Sequence, residues 1–124
     1  MKVRDEIVEL AITQARKSPM RYRHGSVIWK GNKIIGAGYN WPVAPPGGDK
    51  KRFSIHSERD ALKGLRLEQT YGASLLCVRI TQKRESLASS MPCSGCMGLL
   101  RRRGLVNVFW FDSDGILNKI YLRG

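Results

Sequence analysis

The residues best equipped for chemistry sit in two short stretches, His56-Ser57-Glu58 and Pro92-Cys93-Ser94-Gly95-Cys96. Together they supply one imidazole, two thiols and one carboxylate that need not bind a metal. A structural zinc usually closes its shell with four protein ligands, so this set suits a catalytic zinc whose fourth position is open. Cys93 and Cys96 are three apart and share one helix face. In the first turn of a helix, unpaired N–H groups and the dipole favour negative charge, which supports thiolate ligation. Two thiolates cancel the formal charge of Zn²⁺, yet the ion still polarises a water toward hydroxide near neutral pH. Glu58 lies two residues after His56 and does not share its face on a regular helix. His56 therefore belongs at the helix mouth and Glu58 further in, where it reaches the water and the substrate. General acid–base catalysis of this kind contributes about 10²–10⁴-fold.

Two plainer readings compete. A zinc clip without chemistry needs a fourth ligand, for which Cys77 and His24 are the spare candidates. Cys77 lies inside an apolar strand and reads as core; His24 leads into a strand and reads as a local hydrogen-bonding residue. A redox C-x-x-C leaves His56 and Glu58 unexplained.

The elements that must position these groups follow from patterning. Val3, Ile7, Leu10, Ala11 and Ala15 recur at helical spacing, predicting a helix from Val3 to about Arg16 that Ser18-Pro19 stops. Ser26–Trp29 and Lys33–Gly38 are strand candidates joined by the turn dipeptide Gly31-Asn32. Asn40 to about Phe53, with three prolines and a glycine pair, reads as a loop. A second helix is expected from about His56 to Leu67, with Ala61, Leu62 and Leu65 inward. Ala73–Thr81 is apolar enough for a central strand, and Lys83–Met91 is a polar connection. A third helix begins at Pro92, where a missing N–H costs nothing, and ends at Gly104. Leu105–Phe111 and Ile116–Leu122 are strands around the turn Asp112-Ser113-Asp114-Gly115. So short a turn closes only an antiparallel pair. The outcome is one α/β domain over residues 1–124, with a five-stranded mixed sheet whose last two strands are antiparallel.

The bulk numbers agree with one folded unit. The chain has 124 residues, 42% hydrophobic and 26% charged, and three cysteines. Lys and Arg number 22 against 10 Asp and Glu, a net charge of +12, which attracts polyanions or merely solubilises the surface. The charged N-terminus lacks the apolar core of a signal peptide, no stretch is long enough to span a membrane, and the odd cysteine count argues against a disulfide framework. A soluble protein of a reducing, cytoplasmic compartment is expected.

The H-x-E…P-C-x-x-C order is the pattern of zinc deaminases. With the hairpin, Gly36-Ala37-Gly38-Tyr39-Asn40 and the strand after Gly104, nearly the whole chain resembles the cytidine deaminase-like superfamily. That resemblance implies a three-layer α/β/α fold, zinc held by His56, Cys93 and Cys96, proton transfer by Glu58, and a homo-oligomer. Asn40 matches the asparagine that contacts the nucleoside in deoxycytidylate and tRNA deaminases; its plain alternative is a turn residue. A histidine first ligand resembles the deoxycytidylate, tRNA and polynucleotide deaminases, whereas the closing hairpin resembles the free cytidine deaminases. Ser57 replaces the common alanine and adds a hydroxyl to the pocket.

For substrate contacts, Trp41 offers a stacking face, and Lys50, Lys51 and Arg52 offer cations for phosphate; packing and solvation are the plain alternatives. The function expected is a zinc-dependent hydrolase that deaminates a cytosine nucleoside or nucleotide to the uracil form. One alternative acts on cytosine or adenine within single-stranded DNA, RNA or tRNA; another is a silent, zinc-stabilised nucleic-acid-binding protein, against which Glu58 argues.

Overall fold

The computed structural model describes residues 3–43 and 53–122. Helix α1 (Asp5–Lys17) leads into the hairpin of β1 (Arg23–Lys30) and β2 (Lys33–Tyr39). A short ribbon follows, β3 (Trp41–Val43) with β4 (Phe53–Ile55), then α2 (Ser57–Leu62) and α3 (Leu67–Thr70). Next come β5 (Ser74–Ile80), β6 (Leu87–Ala88), α4 (Ser94–Arg102), β7 (Asn107–Phe111) and β8 (Leu117–Tyr121).

The main sheet runs β2-β1-β5-β7-β8, with β6 added beside β5. β5 and β7 are parallel, while β1–β2, β1–β5 and β7–β8 are antiparallel. The closing pair is therefore antiparallel, as its turn length requires. β5 is central, and Leu75, Leu76, Cys77, Val78 and Ile80 are all buried, which explains its nearly unbroken apolar run.

Helices cover both faces. On one, Ile7, Ala11 and Ala15 of α1 pack with Val27, Leu76, Val78 and Phe109. On the other, Ala61 and Leu62 of α2 and Leu100 of α4 pack with Ile28, Leu75, Cys77 and Val108. Burying each such Leu or Ile stabilises the fold by roughly 1.5–3 kcal/mol. The alternation along β1 sends Val27 toward α1 and Ile28 toward α2 and α4. This is the expected three-layer α/β/α arrangement. No helix among the described residues is long and apolar enough to cross a membrane.

Three local expectations change. The second helix stops at Leu62 because Gly64 takes the left-handed conformation (φ +79), a favoured way to end a helix; α3 is a separate turn. The expected loop from Asn40 to Phe53 holds β3 and β4, paired Trp41–Ile55 through Val43–Phe53. A proline fits there because a two-stranded ribbon has edges where a missing N–H disrupts no ladder. The connection Lys83–Met91 contains β6, because β7 pairs only with Ser74–Cys77 and leaves Arg79 and Ile80 an open edge.

Candidate metal centre and active site

The centre is built where two helices begin beside the middle of the sheet. His56 is the N-cap of α2, extended at φ −72 and ψ 152. Cys93 is the N-cap of α4, and its Sγ accepts the Cys96 backbone N–H at 3.5 Å. Cys96 follows in the first turn. His56 Nδ1 lies 3.1 Å from Cys96 Sγ and 3.9 Å from Cys93 Sγ, and the three donor atoms lie within 4.8 Å of one another. Ligand atoms around a tetrahedral zinc sit about 3.3–3.8 Å apart, given zinc–nitrogen and zinc–sulfur bonds of about 2.0–2.3 Å. One nitrogen and two sulfurs at these separations fit zinc. Cys77 and His24, the candidates for a fourth ligand, do not join this group among the described residues.

Glu58, in the first turn of α2, is buried. Its Oε1 accepts the Ser57 hydroxyl at 2.8 Å, the Cys77 thiol at 3.1 Å and the Ser26 hydroxyl at 3.4 Å. Ser26 and Ser57 are themselves 2.8 Å apart. The sheet makes this network: Ser26 on β1 pairs with Cys77 on β5, both on the face that α2 covers. Burial opposes ionisation of Glu58. Hydrogen bonds from Cys96, Cys77 and Ser57 outweigh it and hold the carboxyl below its ordinary pKa. Burial and the neighbouring Glu58 charge push both Cys77 and Cys96 above the ordinary thiol range. Cys77 is thus a neutral donor. Cys96 needs a cation beside it to become a thiolate, which is what a metal supplies.

These groups open onto a cavity of about 310 Å³, at the lower end of the range for small-molecule sites. His24, Asn40 and Ser90 line it with the centre's own residues, and Met20, Arg21, Tyr22 and Met91 also line it. Burial, then the Arg79 charge, hold His24 below its ordinary pKa against the opposing pull of Glu58.

The structure sorts the residues singled out in the sequence. His56, Cys93, Cys96, Glu58 and Ser57 come together. The Ser57 hydroxyl is spent on Ser26 and Glu58. Asn40 lines the cavity, but its side chain braces backbone: Oδ1 accepts from the His24 N–H at 2.8 Å and Nδ2 donates to the Tyr22 carbonyl at 2.7 Å. Trp41 is not among the cavity-lining residues. It lies in a separate surface depression with Lys17, Tyr39 and Asp60, because its indole N–H is held by Asp60 Oδ1 at 3.0 Å. Lys50, Lys51 and Arg52 lie outside the described residues. Sequence reasoning missed Ser26 and Cys77 as partners of Glu58, and His24 as a lining residue. A hydroxyl and a thiol within otherwise apolar strands were the available signal.

No protein-family model and no curated protein matches the sequence. Among solved structures, a cytidine deaminase from Burkholderia pseudomallei superposes with a TM-score of 0.67 at 17% identity, covering 98% of this chain and 94% of that one. A cytidine deaminase from Mycobacterium tuberculosis gives 0.58 at 19%, covering 86% and 81%. The dCMP deaminase of the cyanophage S-TIM5 gives 0.54 at 23%, covering 92% and 90%. The chain has the cytidine deaminase-like fold.

Proposed function

We propose that this chain is a zinc-dependent hydrolase that converts a cytosine nucleoside or nucleotide to the uracil form with release of ammonia. One observation carries the reading: a buried glutamate stands beside a histidine–dithiol triplet next to a ligand-sized cavity. His56, Cys93 and Cys96 would hold zinc, which when bound supplies the Lewis acidity that makes water nucleophilic at neutral pH.

Glu58 then does the proton work. Its Oε1 accepts from Ser57, Cys77 and Ser26, which holds the carboxylate in place beside the triplet. The carboxylate takes a proton from the attacking water, delivers it to the ring nitrogen as the new C–O bond forms, and supports protonation of the amine as the C–N bond breaks. Water and the cytosine ring together give the uracil ring and ammonia, so no further reactant is needed. The cyanophage neighbour, whose structure includes a complex with dCMP and dUMP, supports the same substrate class. The absence of a fourth donor among the described residues speaks against a purely structural metal. Action on a base within a single strand is the second reading, favoured by the net charge of +12.

The test is conversion of cytidine, deoxycytidine and their monophosphates, followed as loss of cytosine absorbance and release of ammonia by zinc-loaded protein. Glu58→Gln should lower kcat by about 10²–10⁴-fold with zinc content unchanged. Full activity in that variant would remove Glu58 from the mechanism. Failure of the wild-type protein on all four substrates would remove the small-molecule assignment.

A further inference from the structure

The cavity mouth carries charge that the deamination chemistry does not use. Tyr22, on the segment between α1 and β1, lines the cavity and is 56% exposed. Two guanidinium groups lie against its ring: the Cζ of Arg21 at 5.7 Å from the centroid and that of Arg79 at 5.3 Å. Arg21 itself lines the cavity. Arg79 on β5 is the register partner of His24 on β1, which lines the cavity.

Among the described residues neither arginine is committed elsewhere. Ion pairs among the described residues engage Arg4, Arg16, Arg23 and Arg66. Arg23, close to Arg21 in sequence, is tied down by Glu85 and by the Thr81 carbonyl at 2.8 Å. No hydrogen bond within the described residues takes a side-chain N–H of Arg21 or Arg79. A guanidinium laid over a ring spends its face and keeps its in-plane N–H donors, the geometry that grips an oxyanion. Among the described residues the one carboxylate lining the cavity is Glu58, which is buried and already hydrogen-bonded, so no described acid lining the cavity competes for these donors.

We infer that Arg21 and Arg79, steadied by Tyr22, form a phosphate subsite, so that the substrate is a base whose sugar carries a phosphate. This deepens the proposed function and rests on it. A cavity of this size takes the base and sugar and leaves the phosphate at the rim, where Arg21 lines the cavity and Arg79 lies against the ring of Tyr22, itself a lining residue. The shared chemistry is a phosphate on the sugar; a free nucleotide presents it as a monoester and a single strand as diesters.

The test uses zinc-loaded full-length protein and ligands that cannot turn over: deoxyuridine, its 5′-monophosphate, and a single-stranded trimer with deoxyuridine at the centre. Calorimetry should show the monophosphate binding about tenfold or more tighter than the nucleoside, the worth of a charge-assisted hydrogen bond. Arg21→Ala and Arg79→Ala should each cut that preference several-fold. Arg101→Ala, an equal loss of charge in the last turn of α4, should leave it intact. A trimer that binds tighter still, with the same arginine dependence, makes the diester the source; a weaker trimer makes it the free nucleotide. Equal affinity for nucleoside and monophosphate overturns the subsite, as does an Arg101→Ala effect as large as that of Arg21→Ala. A phosphate preference without any conversion of cytosine substrates keeps the subsite and removes the deaminase assignment. Binding of neither ligand overturns both.

Discussion

Cys77 shows how much a single buried group can direct at this centre. Its thiol donates to Glu58 Oε1 at 3.1 Å and, with the Ser57 hydroxyl at 2.8 Å, holds that oxygen in place, which in the proposed mechanism positions Glu58 for proton transfer. Cys77→Ala should lower kcat several-fold with little change in KM, while Cys77→Ser, which keeps a donor, should restore most of the rate. Steady-state kinetics on the zinc-loaded variants checks this; equal kcat in both variants and wild type would reduce Cys77 to core packing. Four of the residues that come together here could be singled out in the sequence because local spacing pairs them: His56 with Glu58, and Cys93 with Cys96. Ser26 and Cys77 were not, because strand register brings them together and no short window of sequence contains both. Trp41 stands apart from the cavity for a related reason. Its partner Asp60 lies on α2, so a side chain that suits base stacking is spent on joining β3 to the helix.

At the scale of elements, the seating of α2 on β2 decides where His56 and Glu58 stand. A Cβ on Gly38 would lie 2.5 Å from the Ala61 backbone nitrogen and 2.7 Å from the Asp60 carbonyl carbon, so only glycine lets the helix approach this closely. Asp60 then locks the contact, its Oδ2 accepting the Tyr39 N–H at 3.0 Å. Gly38→Ala should cost about 1–3 kcal/mol of stability, the usual penalty of overpacking, and should lower kcat as well because the helix carries both functional residues. Denaturant titration beside kinetics tests this, and an unchanged midpoint would show that α2 has room to move. The hairpin, the central strand, α1, α4 and the closing antiparallel pair were readable from periodicity and turn residues. The ribbon β3–β4 and the two-residue β6 were not. They owe their existence to pairing partners supplied by the fold, while their own composition reads as loop. The length of α2 was overestimated because Ala61, Leu62 and Leu65 keep a helical period across Gly64, whose left-handed backbone ends the helix between them.

For the whole molecule, the α/β/α layers bring two helix starts to one side of a shared sheet, and a zinc ion held by His56, Cys93 and Cys96 would couple them. The coupling depends on pH. In the metal-free protein, burial and Glu58 raise the Cys96 thiol above its ordinary range, so at pH 7 it holds its proton. Binding as thiolate must expel that proton, so zinc uptake in weak buffer should acidify the solution, and zinc affinity should rise as pH rises through the neutral range. Competition with a chromophoric chelator across pH measures this; a pH-independent affinity would mean that no thiol ionises on binding. Because such a metal would tie α2 to α4, chelation of the zinc-loaded protein should also lower the thermal midpoint.

X-ray absorption at the zinc edge of the metal-loaded protein reaches the central claim most directly. The account predicts two sulfur ligands and one imidazole nitrogen from His56, Cys93 and Cys96, with a light oxygen scatterer in the fourth position that changes when a uracil nucleotide is added. A shell of four protein donors, with no oxygen and no response to ligand, would contradict it.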